Sequence, residues 1–348
     1  MNASGGRYPG WVAGMELRDD WLAQVQEEIL DPAREIIDPH HHLWVHGTPE
    51  APAVYEMEAL WRDTGSGHNV VATMFMECRS YWDKDAPAHL QSVGETRRVA
   101  QMAASAGPGQ SKIAGMVVSI DPRLPPDLLD AAIDAHLEAG QGLVKGVRFA
   151  GARDIEPEKL VIPGRGDAGQ YADPAFRRGL KRFGERGLTF DTWHFHPQNA
   201  DYLDLARAVP ETTLILDHFG GPLGVGRFAG KRDAYFPAWQ KDMEAIAACP
   251  NVHVKLGGFL MPDNGWGFHQ AARPATSDEI VALQGKWYAH MLGLFGADRA
   301  MFESNFPVDR VSVSYPVLWN AFKKLSATCS EAEKDALFAG TARRVYSL

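Results

Sequence analysis

Short apolar runs alternate with amphipathic stretches along most of the chain. The apolar runs are rich in β-branched residues and end in polar groups, which is typical of buried strands. The stretches between them carry apolar residues at helical spacing, most clearly at Leu128, Leu129, Ala132, Ile133 and Leu137. The pattern predicts eight strands, at residues 36–42, 69–77, 113–120, 143–149, 188–193, 212–216, 252–256 and 299–302, and helices at residues 55–62, 89–104, 126–139, 173–186, 199–208 and 240–248 and after the eighth strand.

Eight strands with helical crossovers predict an α/β fold in which the parallel strands close into a (β/α)8 TIM barrel. The alternative is an open, doubly wound sheet, which usually has a glycine-rich phosphate turn after its first strand, and this chain has no such turn there. No internal repeat divides the sequence. We therefore expect a single barrel domain over residues 36–348, with loop insertions at its mouth. An N-terminal arm, residues 1–35, is expected to pack on the outside and to be helical over residues 21–30.

Polar residues concentrate where the predicted strands end. In a TIM barrel these carboxyl ends form the active-site face. They carry the histidines, carboxylates, cations and amide at His40, His42, Glu77, Arg79, Arg148, Asp191, His194, His196, His218, Lys255 and Asn305. The sequence therefore predicts a polar site at the barrel mouth.

The first predicted strand reads IIDPHHHLW from residue 36. Side chains alternate along a strand, so Asp38, His40 and His42 share one face and His41 points to the other. The strand rise places His40 and His42 about 7 Å apart, close enough to bind one ion or one substrate oxygen. Ordinary core or surface histidines in a His-rich turn are the alternative.

Charge and cysteine content narrow the class of protein. The 348 residues carry a formal net charge of -9, which argues against nucleic acid or an anionic membrane as a partner. No apolar run approaches the roughly 18 residues of a membrane-spanning helix, and residues 1–15 lack the features of a signal peptide. Cys78, Cys249 and Cys329 are far apart, which suits a reducing cytoplasm. We expect a cytoplasmic protein with a small-molecule substrate, and the sequence leaves its oligomeric state open.

Six motifs along the chain resemble one enzyme family. They read IIDPHHHLW, KGVRF, LDHFGGP, VKLGG, FESNFPVD and GTARRVY, and they lie in order between about residues 36 and 346. The set resembles the second amidohydrolase family, and most closely its branch of lactone hydrolases that includes pyrone-dicarboxylate lactonase and sugar-lactone hydrolases. The resemblance implies a TIM-barrel hydrolase.

The resemblance also implies roles for single residues. His40, His42 and His218 match the histidines that ligate a divalent ion in metal-dependent members and bind the substrate carbonyl in metal-free ones. Neutral imidazoles suit zinc first among such ions. Arg148 matches an arginine that meets a substrate carboxylate or ring oxygen, a task suited to the planar guanidinium. A salt bridge to an acid such as Asp191 is the alternative for Arg148.

Four further strand-end residues have less defined roles. His194 and His196 are candidates for substrate contact, proton transfer or a fourth metal ligand. Glu77 and Arg79 close the second predicted strand, where they form either part of the site or an ion pair.

One position departs from the family pattern. The eighth strand of the family commonly ends in an aspartate that activates water, whereas this chain has Asn305, and an amide cannot accept a proton as a base. Glu77 is the first candidate to replace that base. Glu303, Asp309 and the extra histidines are the others.

These features predict hydrolysis of a small, oxygen-rich and anionic lactone or ester, by water attack on a carbonyl polarised by the histidines. The anionic preference is predicted from Arg148 and from basic residues in the insert at 223–239, namely Arg227, Lys231 and Arg232. Two alternatives stay open at this level. One is non-oxidative decarboxylation of an aromatic or unsaturated acid, and the other is a non-catalytic binding protein that has lost the base.

Overall fold

The computed structural model describes residues 18–48 and 51–348. Its strands are β1 Glu35–His41, β2 Trp44–Thr48, β3 Ala51–Tyr55, β4 Asn69–Met76, β5 Lys112–Ser119, β6 Val144–Arg148, β7 Thr189–Thr192, β8 Leu214–Leu216, β9 Val252–Leu256 and β10 Ala300–Phe302. Strand β1 and strands β4 to β10 form one parallel sheet of eight strands in chain order. With the surrounding helices this sheet makes the predicted TIM barrel, and the fold prediction is confirmed.

The helices pack around this sheet. They are α1 Asp19–Leu22, α2 Met57–Thr64, α3 Val93–Ala103, α4 Pro126–Gly140, α5 Pro174–Glu185, α6 Asn199–Ala208, α7 Arg232–Ala247, α8 Ser277–Phe295, α9 Tyr315–Leu325, α10 Glu331–Asp335 and α11 Thr341–Val345. Alternate strand residues point outward into the main core, as Ile36 and Phe75 do, or inward, as Ile37 and Met74 do. Within the described part of the chain, no helix is both long and apolar enough to cross a membrane.

Two local predictions were wrong, and one element was not predicted. Residues 23–30 are not helical, since the helix there ends at Leu22. Helix α7 begins at Arg232 instead of residue 240 and continues through Pro237. Between the first strand and the first outer helix, β2 and β3 form an antiparallel hairpin that the apolar pattern did not indicate.

The segment before the barrel lies across two outer helices. Glu27 accepts hydrogen bonds from the backbone N–H and the hydroxyl of Ser277, at the start of α8. On α9, Asn320 binds Glu27 and Lys323 donates to the Leu30 carbonyl at 2.7 Å. Residues 1–17, the other part of the predicted arm, lie outside the described residues.

The barrel closes at its mouth through the segment that follows β10. The backbone N–H of Asn305 donates to the His40 carbonyl at 2.9 Å, and the N–H of His42 donates to the Phe306 carbonyl at 2.7 Å. These bonds bring residues 303–306 against the histidine-rich end of β1. The hydrogen bonds that close the barrel therefore also hold the residues of this site next to one another.

Candidate active site

Three imidazoles meet at the mouth. The ring centroid of His40 lies 5.0 Å from that of His42 and 4.6 Å from that of His218. The ring of His41 packs instead beside Phe75, on the outward side of the sheet. The structure thus brings together the three histidines that the sequence singled out as candidate metal ligands.

Glu303 joins two of these histidines. Its Oε1 accepts a hydrogen bond from His218 Nδ1 at 2.7 Å. Its Oε2 lies 2.7 Å from His40 Nδ1, although these two atoms do not have hydrogen-bond geometry. Nitrogens of the two histidines and an oxygen of Glu303 all lie within 4.8 Å of one another. The sequence named Glu303 only as a substitute base, and its contact with both rings became visible only in three dimensions.

This cluster fits a divalent metal ion. Both ring nitrogens of His40 and Oε2 of Glu303 are buried and have no hydrogen-bond partner among the described residues. Buried polar atoms normally have partners, so such atoms indicate a missing ligand. Imidazole nitrogens with one carboxylate oxygen are a donor set suited to zinc. His42 lies outside the group of three donors, and its Nδ1–H donates to the Met76 carbonyl at 2.9 Å, so only its Nε2 could contribute to binding an ion.

The protonation of the rings differs. Burial, followed by the charge of Lys255, lowers the pKa of His40 well below its ordinary value, and burial also lowers that of His42. Burial acts in the same direction on His218, but the adjacent Glu303 carboxylate outweighs it, so the pKa of His218 is raised. Neutral imidazoles are the form that binds metal, and His40 and His42 are held in that form.

Arg148, which was predicted to bind the substrate, forms ion pairs with two carboxylates of the protein. The Nε of Arg148 lies 2.8 Å from Glu77 Oε1, its Nη2 donates to the Glu77 carbonyl at 2.7 Å, and its Nη1 lies 3.4 Å from Asp217 Oδ2. Asp191, the acid named as its alternative partner, binds Lys255 at 2.7 Å instead. Burial raises the pKa of Glu77, against the opposing charge of Arg148.

The buried charges of the mouth do not balance. Lys255 Nζ also lies 3.5 Å from Asp217 Oδ1, and that oxygen faces His40 Nδ1 at 3.9 Å. In this buried set, the four carboxylates of Glu77, Asp191, Asp217 and Glu303 outnumber the two cations of Arg148 and Lys255, even together with His218, whose raised pKa favours a positive charge. A bound cation would reduce that excess of negative charge. Asp217 was missed by sequence reasoning, although it directly precedes His218 in the LDHFGGP motif.

The remaining predicted site residues have other contacts. His194 Nε2 donates to Asn199 Oδ1 at 3.1 Å, and its ring stacks on Tyr202. His196 Nδ1 accepts from the Leu223 N–H at 3.1 Å, and its ring stacks on Tyr235. The described contacts of both histidines are thus to the segments that follow β6, β7 and β8, since His194 also packs against the Tyr171 ring. Arg79, at the surface, places its guanidinium 4.4 Å from the Trp82 ring.

Asn305 makes structural hydrogen bonds through both its backbone and its side chain. Besides the backbone bond to His40, its Nδ2 donates to Asp309 Oδ1 at 3.1 Å. Burial raises the pKa of Asp309 to about 7. Asp38 likewise supports this segment, because its carboxylate accepts from the Ser304 N–H at 2.9 Å.

Backbone conformations at the mouth are unusual. His218, Phe219 and Asn305 have positive φ angles of 54°, 59° and 55°. Such conformations cost non-glycine residues on the order of 1–3 kcal/mol and cluster at functional sites. A β-carbon on Gly258, whose own φ is +60°, would lie 1.9 Å from His218 Nδ1. The VKLGG motif therefore keeps space for the His218 ring.

Comparisons with known proteins identify the family of this chain. The amidohydrolase family model matches residues 37–348, so the chain belongs to the amidohydrolase family. It is accordingly an enzyme of the hydrolase type, as predicted.

Two relatives are similar in sequence. The uncharacterised protein y4mH of Sinorhizobium fredii is 30% identical over 337 residues, which cover 89% of this chain and 98% of y4mH. The L-fucono-1,5-lactonase of Burkholderia multivorans is 28% identical over 184 residues, which cover 52% of this chain and 59% of the lactonase. The predicted resemblance to lactone hydrolases is confirmed.

Solved structures share the fold. An amidohydrolase from Burkholderia multivorans with bound zinc superposes with a TM-score of 0.69 at 23% identity, covering 90% of this chain and 99% of that chain. The 5-carboxyvanillate decarboxylase of Sphingomonas paucimobilis gives a TM-score of 0.55 at 12% identity, covering 90% and 99%. Hydrolases and decarboxylases both have this fold, so the fold does not decide between those reactions.

We predict that Gly258→Ala displaces His218. Gly267→Ala is the matched control, because Gly267 has a similar φ of +79° but nothing lies within 4 Å of its added β-carbon. Both variants should lose about 1–2 kcal/mol of unfolding free energy for the left-handed backbone, and Gly258→Ala should lose more. Imidazole NMR signals of His218 should shift only in Gly258→Ala. Equal stability and unchanged signals in both variants would contradict the close contact.

Proposed function

We propose that this protein hydrolyses a small, oxygen-rich lactone or a related ester. The observation that carries the proposal is the position of Glu303, whose two carboxylate oxygens each lie 2.7 Å from a histidine nitrogen. This arrangement unites a proton acceptor with the neutral imidazole of His40 and the hydrogen-bonded imidazole of His218 in one buried cluster. Similarity to an L-fucono-1,5-lactonase supports the lactone as the substrate class.

Glu303 takes the role of base in this proposal. A carboxylate has two oxygens, so one can help to hold an ion or an imidazole while the other accepts a proton from the attacking water. Glu77, the first candidate from sequence, has its carboxylate bound to Arg148. The Asn305 amide is directed to Asp309. Glu303 is therefore the better placed of these three groups.

The histidines orient the reacting groups. His218 fixes the Glu303 carboxylate through its Nδ1–H, while His40 and His42 present nitrogens that can accept a hydrogen bond or bind an ion. His40, His42, His218 and Glu303 are the residues that would hold a metal. A bound divalent ion, zinc in the first place, supplies a Lewis acid that polarises the substrate carbonyl.

The substrate is proposed to be uncharged, which changes the expectation from sequence. Arg148 is bound by two carboxylates. Arg227 pairs with Asp154 and Glu156, and Arg232 donates to the carbonyls of Asn264 and Gly265. Arg148 and Arg227 are thus paired with carboxylates and Arg232 with backbone carbonyls, so none of these three guanidinium groups is directed to a substrate carboxylate. A carboxylate bound here would be buried without a partner, which is costly.

We predict that Glu303→Gln lowers kcat by a factor of at least about 10², the usual effect of losing a general base. The near-identical shape of glutamine should preserve the barrel, which thermal unfolding checks. Metal content of the variant should be measured alongside turnover, since Glu303 is also a candidate ligand.

Glu77→Gln is the comparison variant. It removes the charge that compensates buried Arg148, so it should destabilise the fold by about 3 kcal/mol. Its kcat, measured below its unfolding temperature, should fall less than that of Glu303→Gln. The reverse order of kcat losses would assign the base to Glu77.

We predict that the purified protein binds close to one divalent ion per chain. Elemental analysis should find the ion in the wild type and much less of it in His40→Ala, because that variant removes both buried ring nitrogens that lack a hydrogen-bond partner among the described residues. Circular dichroism should show an intact fold in both. Full turnover by exhaustively chelated, metal-free protein would remove the metal from the proposal.

We predict faster turnover of neutral lactones than of carboxylated ones. Matched pairs, each a lactone acid and its methyl ester, isolate the charge, and the expected difference lies in KM because burying a carboxylate without a partner weakens binding. A preference for the free acid would restore the anionic substrate. Release of carbon dioxide without ring opening would identify a decarboxylase.

A further inference from the structure

The candidate site is almost fully buried. His40 and Glu303 have no exposed surface, and His218 and His42 are only 3% and 6% exposed. Loops that follow β6, β8 and β9 extend beyond the mouth, at residues 150–171, 221–231 and 257–276, and together they are called here the mouth cover. A substrate can reach the histidines only if part of the structure around the mouth moves.

One buried acid joins all three loops of the cover. Asp263, in the loop after β9, is 3% exposed. Its Oδ1 accepts from the Val161 N–H at 2.7 Å and its Oδ2 from the Ile162 N–H at 2.9 Å, both in the loop after β6. Its backbone carbonyl accepts from the Gly224 N–H at 2.8 Å, in the loop after β8.

Neighbouring contacts reinforce these connections. Asn264 Nδ2 donates to the Pro222 carbonyl at 2.8 Å. Arg227, in the loop after β8, pairs with Asp154 in the loop after β6. A small apolar cluster, separate from the barrel core, fills the space between the loops, and its members are Ala152, Leu160, Trp193, Phe195, Leu223 and Phe228.

The junction lies close to the chemistry along the chain. Pro222 follows His218 by four residues, and Gly258, which packs on the His218 ring, precedes Asp263 by five. No charged side chain pairs with the Asp263 carboxylate among the described ion pairs, and its two hydrogen bonds come from backbone amides. The buried Asp263 carboxylate thus keeps its hydrogen-bond donors only while the loop after β6 remains in place.

We propose that Asp263 is a positioning residue that holds the mouth cover closed over the cluster of His40, His218 and Glu303. Substrate entry then requires the bonds from Asp263 to Val161 and Ile162 to break, and they re-form once the substrate is bound. The link to catalysis rests on the proposed lactone hydrolysis, whereas the closure itself can be measured without any substrate.

Hydrogen exchange on the full-length protein tests the closure. Asp263→Asn leaves one acceptor oxygen and turns an NH2 group toward the second backbone donor. Exchange of the Val161 and Ile162 amides should accelerate by about tenfold or more, the factor expected for losing a hydrogen bond to a charged group. Exchange in β1 and β10 should stay unchanged. Asp233→Asn is the matched control, because that exposed carboxylate on α7 binds only Lys286 among the described ion pairs, and it should leave the cover unaffected.

Kinetics of the same variants test the consequence for the site. Asp263→Asn should raise KM for a neutral lactone about fivefold or more, since a loosened cover retains substrate less well, while kcat changes less than about twofold because the reacting groups are intact. A loss in kcat alone, or unchanged exchange at residues 161 and 162, would overturn the proposal. If no lactone is turned over by the wild type, the proposed function fails, and exchange alone still decides whether Asp263 closes the cover.

A second variant covers the case in which Asp263→Asn does not fold. Asn264→Ala removes the bond to Pro222 without changing a buried charge. It should accelerate exchange of the Gly224 amide, which binds the neighbouring carbonyl of Asp263, by a smaller factor. Unchanged exchange at Gly224 would equally overturn the proposal.

Discussion

Two backbone hydrogen bonds between the end of β1 and the segment after β10 hold the candidate site together. Strand β10 has only three residues, and the sheet is completed beyond it, where Asn305 and Phe306 bind His40 and His42. Because Glu303 precedes this closure by two residues, its carboxylate is carried to the histidines of β1. Asn305, with its left-handed backbone, lies in the same turn. The strain of this conformation therefore falls in the turn that brings Glu303 to the histidines.

The interior of the mouth concentrates charges that would be costly if they were left unpaired. Arg148 and Lys255 each contact two carboxylates, and they share Asp217 between them. Such buried pairs contribute little net stability, but removing one partner is strongly destabilising. Beside His40, Oε2 of Glu303 has no hydrogen bond among the described residues, and Oδ1 of Asp217 likewise has none but lies 3.5 Å from Lys255 Nζ. A metal ion or a proton from water would be received at these oxygens.

The fold could be predicted from local patterns, because buried strands and amphipathic helices leave periodic signals in sequence. The hairpin β2–β3 could not, since its strands are short and interrupted by proline and glycine. The three histidines could be singled out because strand position and motif agreed. The contacts of Glu303 with His40 and His218 could not be predicted, because they depend on a turn whose direction is set by barrel closure.

Which charged side chains form ion pairs within the site also could not be predicted from the sequence. Arg148 and Asp191 occupy paired positions on neighbouring strands β6 and β7, which made a salt bridge between them a reasonable alternative. The guanidinium instead reaches Glu77, after β4, and Asp217, after β8. Strand order predicts which side chains are adjacent, but competition among buried charges across the barrel interior decides which of them pair.

The position of His218 restricts how the mouth can open. Its turn continues through Gly220 and Gly221, whose positive φ angles cost glycine little. A β-carbon on Gly221 would lie 2.1 Å from the His194 carbonyl, so this turn is packed tightly against the segment after β7. Motion of the loop after β8 would therefore disturb a candidate catalytic residue. The loop after β6 has no such residue between Gly151 and Gln170, and it is attached to the other two loops by its hydrogen bonds to Asp263, the pairing of Arg227 with Asp154 and the apolar cluster. That loop is the part of the cover that can move while the histidines and Glu303 stay in place.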